Sequence, residues 1–402
     1  MPTSRRTPTL RLSDYYLVEG ANAFAVTLFM LTIFFWAQAR FGYTHIENLA
    51  LGAVQGAAHI IGSRIGGRLG DRIGYNRVVI ASLSVAFLIM ALGWWPSLHL
   101  MPFLVCALYG VFIASIWPVL EAGAMHIPAR LNMPQRLGIY NLVWSFSGLT
   151  GFVLSGFIFN WNIHSIFWVP AVVHAGQLIW ILYHLGRHAI SGEPAMDLPH
   201  EGNRVPPAQK RELMHFSWLS NSLAYFLGGG FSALTPHLGE RFALSQSWTI
   251  WLGCSLLLAR GLGFVIITRW KGWHYHRGWS LYALWSAPLW LGVIFFTGDL
   301  VVAAAGCLLL GFSFGLSYYM SIYYSLDASE NKGQQGGYHE SIIGLGMLAG
   351  PLAGAAGGHF TGSTLGAKWT IILLAFFIAT AGYLAIVKSG RRSQSNGDTS
   401  NT

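Results

Sequence analysis

The sequence predicts an all-α membrane protein with twelve transmembrane helices, arranged in two six-helix halves related by pseudo-two-fold symmetry. Three observations support this fold class: a composition too apolar for a water-exposed surface, twelve apolar runs of membrane-spanning length, and a pattern that recurs in both halves of the chain. The same observations exclude most soluble enzymes and any disordered scaffold.

The composition places the chain in lipid. Of its 402 residues, 53% are hydrophobic and only 10% are charged, and the mean hydropathy is +0.48. A soluble globular protein carries roughly 25% charged residues, so this chain has too few to cover a surface that faces water. The first apolar run is too long for a signal peptide and has no small-residue cleavage site behind it. We therefore expect an integral, multi-pass membrane protein.

Apolar runs separated by glycine, proline and charged residues give twelve candidate spans, because roughly 20 apolar residues cross a bilayer. They lie at residues 15–38, 47–66, 77–95, 100–122, 137–159, 165–186, 214–236, 246–268, 278–297, 300–325, 337–358 and 368–387. A polar stretch that contains several prolines separates the sixth span from the seventh. The expected organisation is a cytoplasmic tail (1–14), a six-helix half (15–186), a cytoplasmic linker (187–213), a second six-helix half (214–388) and a cytoplasmic tail (389–402).

The 24 lysines and arginines indicate the orientation in the membrane. With the N-terminus placed in the cytoplasm, all of them fall in cytoplasmic segments except Arg40, Arg241 and Lys368 in outer loops and Arg260 within a span. This is the positive-inside pattern, and it predicts that both termini lie in the cytoplasm and that the chain spans the cytoplasmic (inner) membrane. The net charge of +9 therefore needs no nucleic-acid partner.

The two halves of the chain resemble each other. One constant spacing relates four residues of the fifth span to four of the eleventh: Gly138, Tyr140, Gly148 and Gly156 match Gly336, Tyr338, Gly346 and Gly354. A second match pairs Glu121, at the end of the fourth span, with Asp327, at the end of the tenth. An internal duplication of this kind is typical of repeat-built transporters, which hold their substrate between the repeats.

A glycine-rich, charged segment joins the second and third spans. It reads Gly67-Arg68-Leu69-Gly70-Asp71-Arg72-Ile73-Gly74-Tyr75-Asn76-Arg77. This segment closely resembles the signature loop of the major facilitator superfamily. The resemblance extends over residues 15–388 and implies the fold of that superfamily, with two halves that rock about a central site in alternating access. It implies a secondary active transporter and no enzymatic activity.

The resemblance also implies a conformational latch at the cytoplasmic side of the halves. By match to the family motif, the latch residues are Gly67, Asp71, Arg72, Gly74 and Arg77. The counterpart segment of the second half has Lys271 where Asp71 would fall, so we expect an asymmetric latch. We add Glu121 and Asp327 to the latch, because their matched positions favour pairing with nearby arginines during closure.

Ionisable residues within spans are candidates for the substrate or proton pathway, because burying them in lipid costs several kcal/mol. The strongest pair is His339 and Glu340 at the start of the eleventh span, where an imidazole beside a carboxylate can exchange a proton near neutral pH. The alternative is a pair that makes helix-end contacts. Arg260 suits an anionic substrate or Glu340 as a partner, unless its guanidinium snorkels to the interface.

Other polar and aromatic residues complete the candidate pathway. Glu19 and Asn22 share one face of the first span, and Gln55 and His59 share one face of the second. Aromatic residues within spans can stack on a solute or simply pack helices together; the candidates among them are Trp144, Tyr225, Tyr319 and Tyr323. No phosphate-binding loop and no pair of histidines at metal-binding spacing occurs in the sequence, so we predict no catalytic residue, no metal and no cofactor.

Two transport hypotheses remain open. One is proton-coupled movement of a small polar solute by symport or antiport, with His339 and Glu340 as the coupling pair. The other is export of an amphipathic or aromatic compound through an aromatic cavity. A hypothesis of a different class is a non-transporting membrane sensor or assembly factor built on the same fold. The expected partners are a small-molecule substrate, the lipid bilayer and, in the first hypothesis, protons; we expect a monomer.

Overall fold

The computed structural model describes residues 10–95, 98–127, 131, 133–185, 205–327 and 332–398. Over these ranges the chain forms twelve α-helices and no β-strand. In the first half these are α1 (Leu12–Phe41), α2 (His45–Ile73), α3 (Tyr75–Leu92), α4 (Met101–His126), α5 (Met133–Trp161) and α6 (Ser165–His184). In the second half they are α7 (Pro207–Arg241), α8 (Gln246–Arg269), α9 (Arg277–Phe296), α10 (Leu300–Asp327), α11 (Lys332–Thr361) and α12 (Thr364–Asp398).

The helices coincide with the predicted spans and are longer at most ends. The helix α7 begins at Pro207, within the predicted linker, and α12 continues to Asp398, through most of the predicted C-terminal tail. The reason is physical: hydropathy detects only the part of a helix that lies in lipid, whereas backbone hydrogen bonding continues into polar residues. Residues 187–204 of the predicted linker lie outside the described ranges.

Ten helices are long and apolar enough to cross a membrane. The other two described helices are α2 and α7, which carry more polar and charged side chains. Both pack against α11 and against each other. The polar side chains Gln55 and His59 of α2 and Asn221 of α7 are buried, which keeps them out of lipid.

Two long helix pairs join the halves, and we call them the α2–α11 seam and the α5–α8 seam. At Gly56 of α2 the backbone of Leu348 in α11 leaves no room for a side chain, so only glycine permits this approach. On the other seam, Gly261 of α8 faces Ser145 of α5, with 2.9 Å between a Cβ placed on the glycine and the Ser145 Oγ.

Contacts inside each half show which positions are equivalent. Gly110 of α4 packs against the methyl group of Ala58 in α2, and Gly311 of α10 packs against the methyl group of Ala259 in α8. Ala58 and Ala259 are therefore equivalent, and the residues that follow them, His59 and Arg260, are equivalent as well.

The helices α5 and α11 correspond in the same way. Gly151 packs against the carbonyl oxygen of Phe24 in α1, and Gly350 packs against the carbonyl oxygen of Phe226 in α7. Counted back from these glycines, Tyr140 and Asn141 of α5 correspond to His339 and Glu340 of α11. The sequence match of Tyr140 with Tyr338 is thus wrong by one residue.

The proposed match of Glu121 with Asp327 is wrong by more. Counted from Gly110 and Gly311, Trp117 corresponds to Tyr318, and Glu121 corresponds to Ile322. The two acidic residues lie in short segments of similar sequence. Such similarity does not determine helical register, which follows from the contacts between helices.

Candidate functional site

A cavity of about 1200 Å³ lies between the two halves. Every helix that contributes to the two seams lines it, together with α1, α4, α7 and α10. Its polar and aromatic lining side chains are Thr27, Gln55, His59, Trp117, Glu121, Tyr140, Trp144, Ser145, Tyr225, Arg260, Tyr318 and Glu340. A second compartment of about 950 Å³ adjoins it and shares Gln55, Tyr225 and Arg260 with it. We call these spaces the central cavity and the apolar compartment.

The α2–α11 seam carries a histidine–glutamate pair in the wall of the central cavity. The Nε2 of His59, at the middle of α2, lies 2.9 Å from the Oε2 of Glu340 in α11. Both side chains are less than a tenth exposed, at 9% and 8%. The indole of Trp117 lies beside the imidazole, with 5.3 Å between ring centroids. The pair therefore links the two halves directly.

The structure corrects the predicted pairing of His339 with Glu340. Residues next to each other on a helix point in different directions, so their side chains do not face each other. The buried His339 instead lies with its Nδ1 3.0 Å from the Oγ of Ser321 in α10, and its ring packs edge-on against Tyr318. Its Nε2 has no hydrogen-bond partner among the residues described.

Arg260 occupies the corresponding place on α8. Its Nη2 donates a hydrogen bond of 2.7 Å to the hydroxyl of Tyr225, and its guanidinium lies 4.5 Å from the ring centroid of Trp144 and 5.1 Å from that of Tyr318. Trp144 and Tyr318 are nearly parallel, at 4°. Within the described ranges Arg260 forms no ion pair, neither with Glu340 nor with another carboxylate. The Arg260 side chain is only 6% exposed, so its guanidinium does not snorkel to the membrane interface.

A second set of acidic and polar groups lies on the first half. Glu19 of α1 is fully buried, and neither of its carboxylate oxygens has a hydrogen-bond partner in the part of the chain that is described. The Tyr140 hydroxyl and the Trp117 indole are its polar neighbours. Asn22, one turn further along α1, is also fully buried with an unpartnered amide. Glu19 and Asn22 do not line the central cavity. The sequence places them on one face of α1 as candidates for the pathway, but in the structure this face is buried behind the cavity wall.

Glu121 lies in the wall of the central cavity, and this corrects its assignment to the latch. It is 6% exposed, and its Oε1 has no partner in the described structure. Arg136, one of its expected partners, donates instead to the carbonyl oxygens of Met125 and Ile127 at the end of α4. The side chain of Asp327 lies outside the described part of the chain.

The aromatic candidates divide into two groups. Trp144 and Tyr225 line the central cavity, and so does Gln55, which also donates to the carbonyl oxygen of Met30 at 3.2 Å. Tyr319 and Tyr323 instead pack edge-on against Trp273 in the connection between α8 and α9, which corrects their assignment to the pathway.

Three aromatic residues of the central cavity are missing from the sequence candidates: Trp117, Tyr140 and Tyr318. The signal that identifies them is the equivalence of the halves. Tyr318 corresponds to Trp117, and these two rings lie beside Arg260 and His59, respectively. Tyr140 corresponds to His339 and lies beside Glu19. This signal is available only when the register is correct to one residue.

The predicted latch is not a separate loop. The helix α2 continues through Gly67, Asp71 and Arg72 to Ile73, and α3 begins at Tyr75. Gly74 alone makes the turn, with a backbone φ of 96° that residues other than glycine rarely adopt. Asp71, Arg72 and Arg77 are exposed. The Oδ1 of Asp71 accepts a hydrogen bond of 3.2 Å from the hydroxyl of Tyr75. The latch role of these residues stays a prediction.

Comparison with known proteins places the chain in a family. The family model described as Major Facilitator Superfamily matches residues 15–351. An uncharacterized MFS-type transporter of Yersinia enterocolitica serotype O:8, YE1530, is 26% identical over 211 residues, which is 51% of this chain and 52% of that protein. The match thus spans about half the length of that relative.

Solved structures share the fold at low identity. The nucleoside transporter NupG superposes with a TM-score of 0.69 at 10% identity, over 94% of this chain and 100% of that one. The human organic anion transporter MFSD10 (TETRAN) superposes with a TM-score of 0.65 at 16% identity, over 94% of this chain and 100% of that one. These likenesses, together with the helices described above, confirm the predicted fold class. The chain belongs to the major facilitator superfamily, a family of transporters, and is an integral, multi-pass membrane protein.

Proposed function

We propose that this protein is a secondary active transporter that moves a small amphipathic solute by alternating access, with protons coupled to the movement at the His59–Glu340 pair. The observation that carries the proposal is the position of this pair, which joins α2 to α11 across the wall of the central cavity. We also propose that the protein acts as a monomer in the inner membrane with both termini in the cytoplasm, on the basis of the positive-inside pattern.

The pair couples protonation to the movement of the halves. Because His59 and Glu340 belong to different halves, any motion that opens the α2–α11 seam separates them. A proton on Glu340 removes the negative charge that attracts His59, so proton binding and seam opening change each other's free energy. The charged or titratable groups that face this pair are Glu19, Glu121, Tyr225, Arg260, Tyr318 and His339. Their charges set the pH range of the response.

The cavity surfaces favour an amphipathic solute over a small, wholly polar one. Most of the side chains that line both spaces are aliphatic or aromatic, and the polar groups lie at a few places. Ligand sites with this composition bind apolar bodies that carry a small number of polar groups.

The test follows the α2–α11 seam as the pH changes. One spin label on each half of the full-length protein, reconstituted in liposomes, reports the distance between the halves at about pH 5.5 and about pH 8. We expect the distance distribution to change with pH in the wild type and to be the same at both pH values in Glu340→Gln, because the amide does not titrate.

A matched control is available in another His–Glu pair. His99 Nε2 lies 2.7 Å from Glu47 Oε1, but both residues belong to the first half, and their side chains are 53% and 33% exposed. Glu47→Gln should therefore keep the pH response of the wild type. A response that survives in Glu340→Gln, or that is absent from the wild type, would contradict proton coupling at this seam.

A further inference from the structure

We propose that the solute is an amphipathic organic monoanion, whose acidic group binds Arg260 and whose apolar body fills the apolar compartment. This inference rests on the proposed transport function, which it deepens by naming the class of substrate. It concerns what the cavity binds and is independent of whether protons drive the cycle.

The first step is the state of Arg260. Its guanidinium keeps its positive charge at all physiological pH values, yet the side chain is 6% exposed and has no carboxylate partner among the described residues. Within the described ranges, only the Tyr225 hydroxyl accepts a hydrogen bond from it, and its buried Nε has no partner there. A buried cation in this state lacks a counter-ion, and an anionic ligand supplies one.

The second step is the rigidity of the site. Trp144 and Tyr318 lie against the guanidinium, and Tyr225 holds one of its donors. A planar fork that is held by aromatic rings and one hydroxyl keeps its remaining donors available for a carboxylate, which a guanidinium binds through two parallel hydrogen bonds. The geometry therefore suits an acidic group better than a single carbonyl oxygen.

The third step is the shape of the adjoining space. The apolar compartment extends from Arg260 between α1, α2, α5, α7, α8, α10 and α11, and its walls include Phe34, Phe152, Phe231, Leu256, Phe314 and Met347. Among the described residues that line it, Arg260 alone is charged. One cation at the edge of an apolar space of about 950 Å³ matches a ligand with one acidic group and an apolar body.

The fourth step excludes a second acidic group. The central cavity, on the other side of Arg260, presents the carboxylates of Glu121 and Glu340. A dianion would place its second charge either in the apolar compartment or beside these carboxylates, and both are unfavourable. Glu121 is also the group on which an amine would bind, so a cationic ligand is the outcome that competes with this proposal.

The experiment compares three ligands that share one carbon skeleton with a dicarboxylate that has the same number of carbons. Thermal unfolding of the purified full-length protein in detergent is measured with 4-phenylbutyrate, its neutral amide, the corresponding amine 4-phenylbutylamine, and the dianion phenylsuccinate. A ligand that binds only the folded protein raises the melting temperature. We expect 4-phenylbutyrate to raise it and the other three compounds to have little effect.

Variants locate the binding. Arg260→Gln should weaken the binding of 4-phenylbutyrate by about 10- to 100-fold, the loss expected for hydrogen bonds to a charged group. Arg260→Lys keeps the charge but not the fork, so its loss should be smaller, and it remains informative if Arg260→Gln does not fold. The matched control is Arg64→Gln, because Arg64 is exposed, contacts Ser341 at 3.4 Å and lines neither space.

Several results would overturn the monoanion proposal: a larger shift with the amine than with the acid, equal shifts with the acid and its amide, unchanged binding in Arg260→Gln, or no shift with any of the four compounds. None of them affects the distance measurement at the α2–α11 seam, which uses no ligand. The failure of the substrate class can therefore be told apart from the failure of proton coupling.

Discussion

The two seams of this transporter place different chemistry at equivalent positions of one scaffold. On the α2–α11 seam, His59 meets Glu340 at 2.9 Å. On the α5–α8 seam, the equivalent of His59 is Arg260, and the equivalent of Glu340 is Asn141, whose fully buried amide has no partner within the described residues. One seam thus holds a histidine–glutamate pair, and the other holds an arginine that has no carboxylate partner among the described residues.

This difference shows how a duplicated fold can divide two tasks between its halves. The backbone contacts that align His59 with Arg260 are retained in both halves, because they involve small residues at the helix crossings. The side chains carried by this common frame are free to differ. A single acidic residue, present at Glu340 and absent at Asn141, separates the seam for which we propose proton coupling from the seam for which we propose ligand binding.

Asn141→Glu removes this difference, and we expect it to have the largest effect. It places a carboxylate on the α5–α8 seam where Glu340 lies on the other, within the neighbourhood of Arg260. The new ion pair would satisfy the cation, so the affinity for 4-phenylbutyrate should fall about tenfold or more. Thermal shift titration measures this change, and Asn141→Gln, which adds the same length without a charge, is the control. Unchanged affinity in Asn141→Glu would show that the seams do not differ in the way described.

A double-mutant cycle measures the other seam. We expect the coupling free energy between His59→Gln and Glu340→Gln to be about 1 to 3 kcal/mol at about pH 6, because the two side chains are in contact and shielded from water. Unfolding of the purified protein in detergent provides the four free energies. Additive single and double variants would mean that the 2.9 Å contact contributes nothing.

Much of this architecture could be predicted from the sequence. Charged residues are so unfavourable in lipid that the apolar runs alone predict all twelve helices. The segment around Asp71 predicts the superfamily. The same selection makes charged exceptions informative: His59, Arg260 and Glu340 were all candidates, and all line the central cavity. Whether they bind substrate or protons stays a prediction that the variants above address.

The pairings could not be predicted, because they depend on helix rotation and register. Adjacency in the sequence favours His339 as the partner of Glu340, whereas the contact in the structure joins Glu340 to His59, far away in the chain and in the other half. Register explains the other differences as well. A shift of one residue exchanges Tyr318, which lines the cavity, for Tyr319, which packs against Trp273. In a helix that is apolar on every side, the hydropathy pattern hardly changes when the register shifts by one residue, so it does not reveal which side chain faces the cavity.

The smallest effect we predict tests whether the latch differs between the halves as the seams do. Asp71 follows the signature pattern, whereas the register of Ala58 and Ala259 makes Gly272 its counterpart, one residue after the predicted Lys271. Asp71 and Lys271 are both exposed. Because exposed charge interactions contribute at most about 1 kcal/mol, Asp71→Asn should change the ratio of the two access states by about two- to fivefold. Lys271→Gln should leave the ratio unchanged. The spin-label distances between the halves, recorded without ligand at one pH, give both ratios. Equal shifts in the two variants would indicate a symmetric latch, and would confine the asymmetry of this protein to the residues that line its cavity.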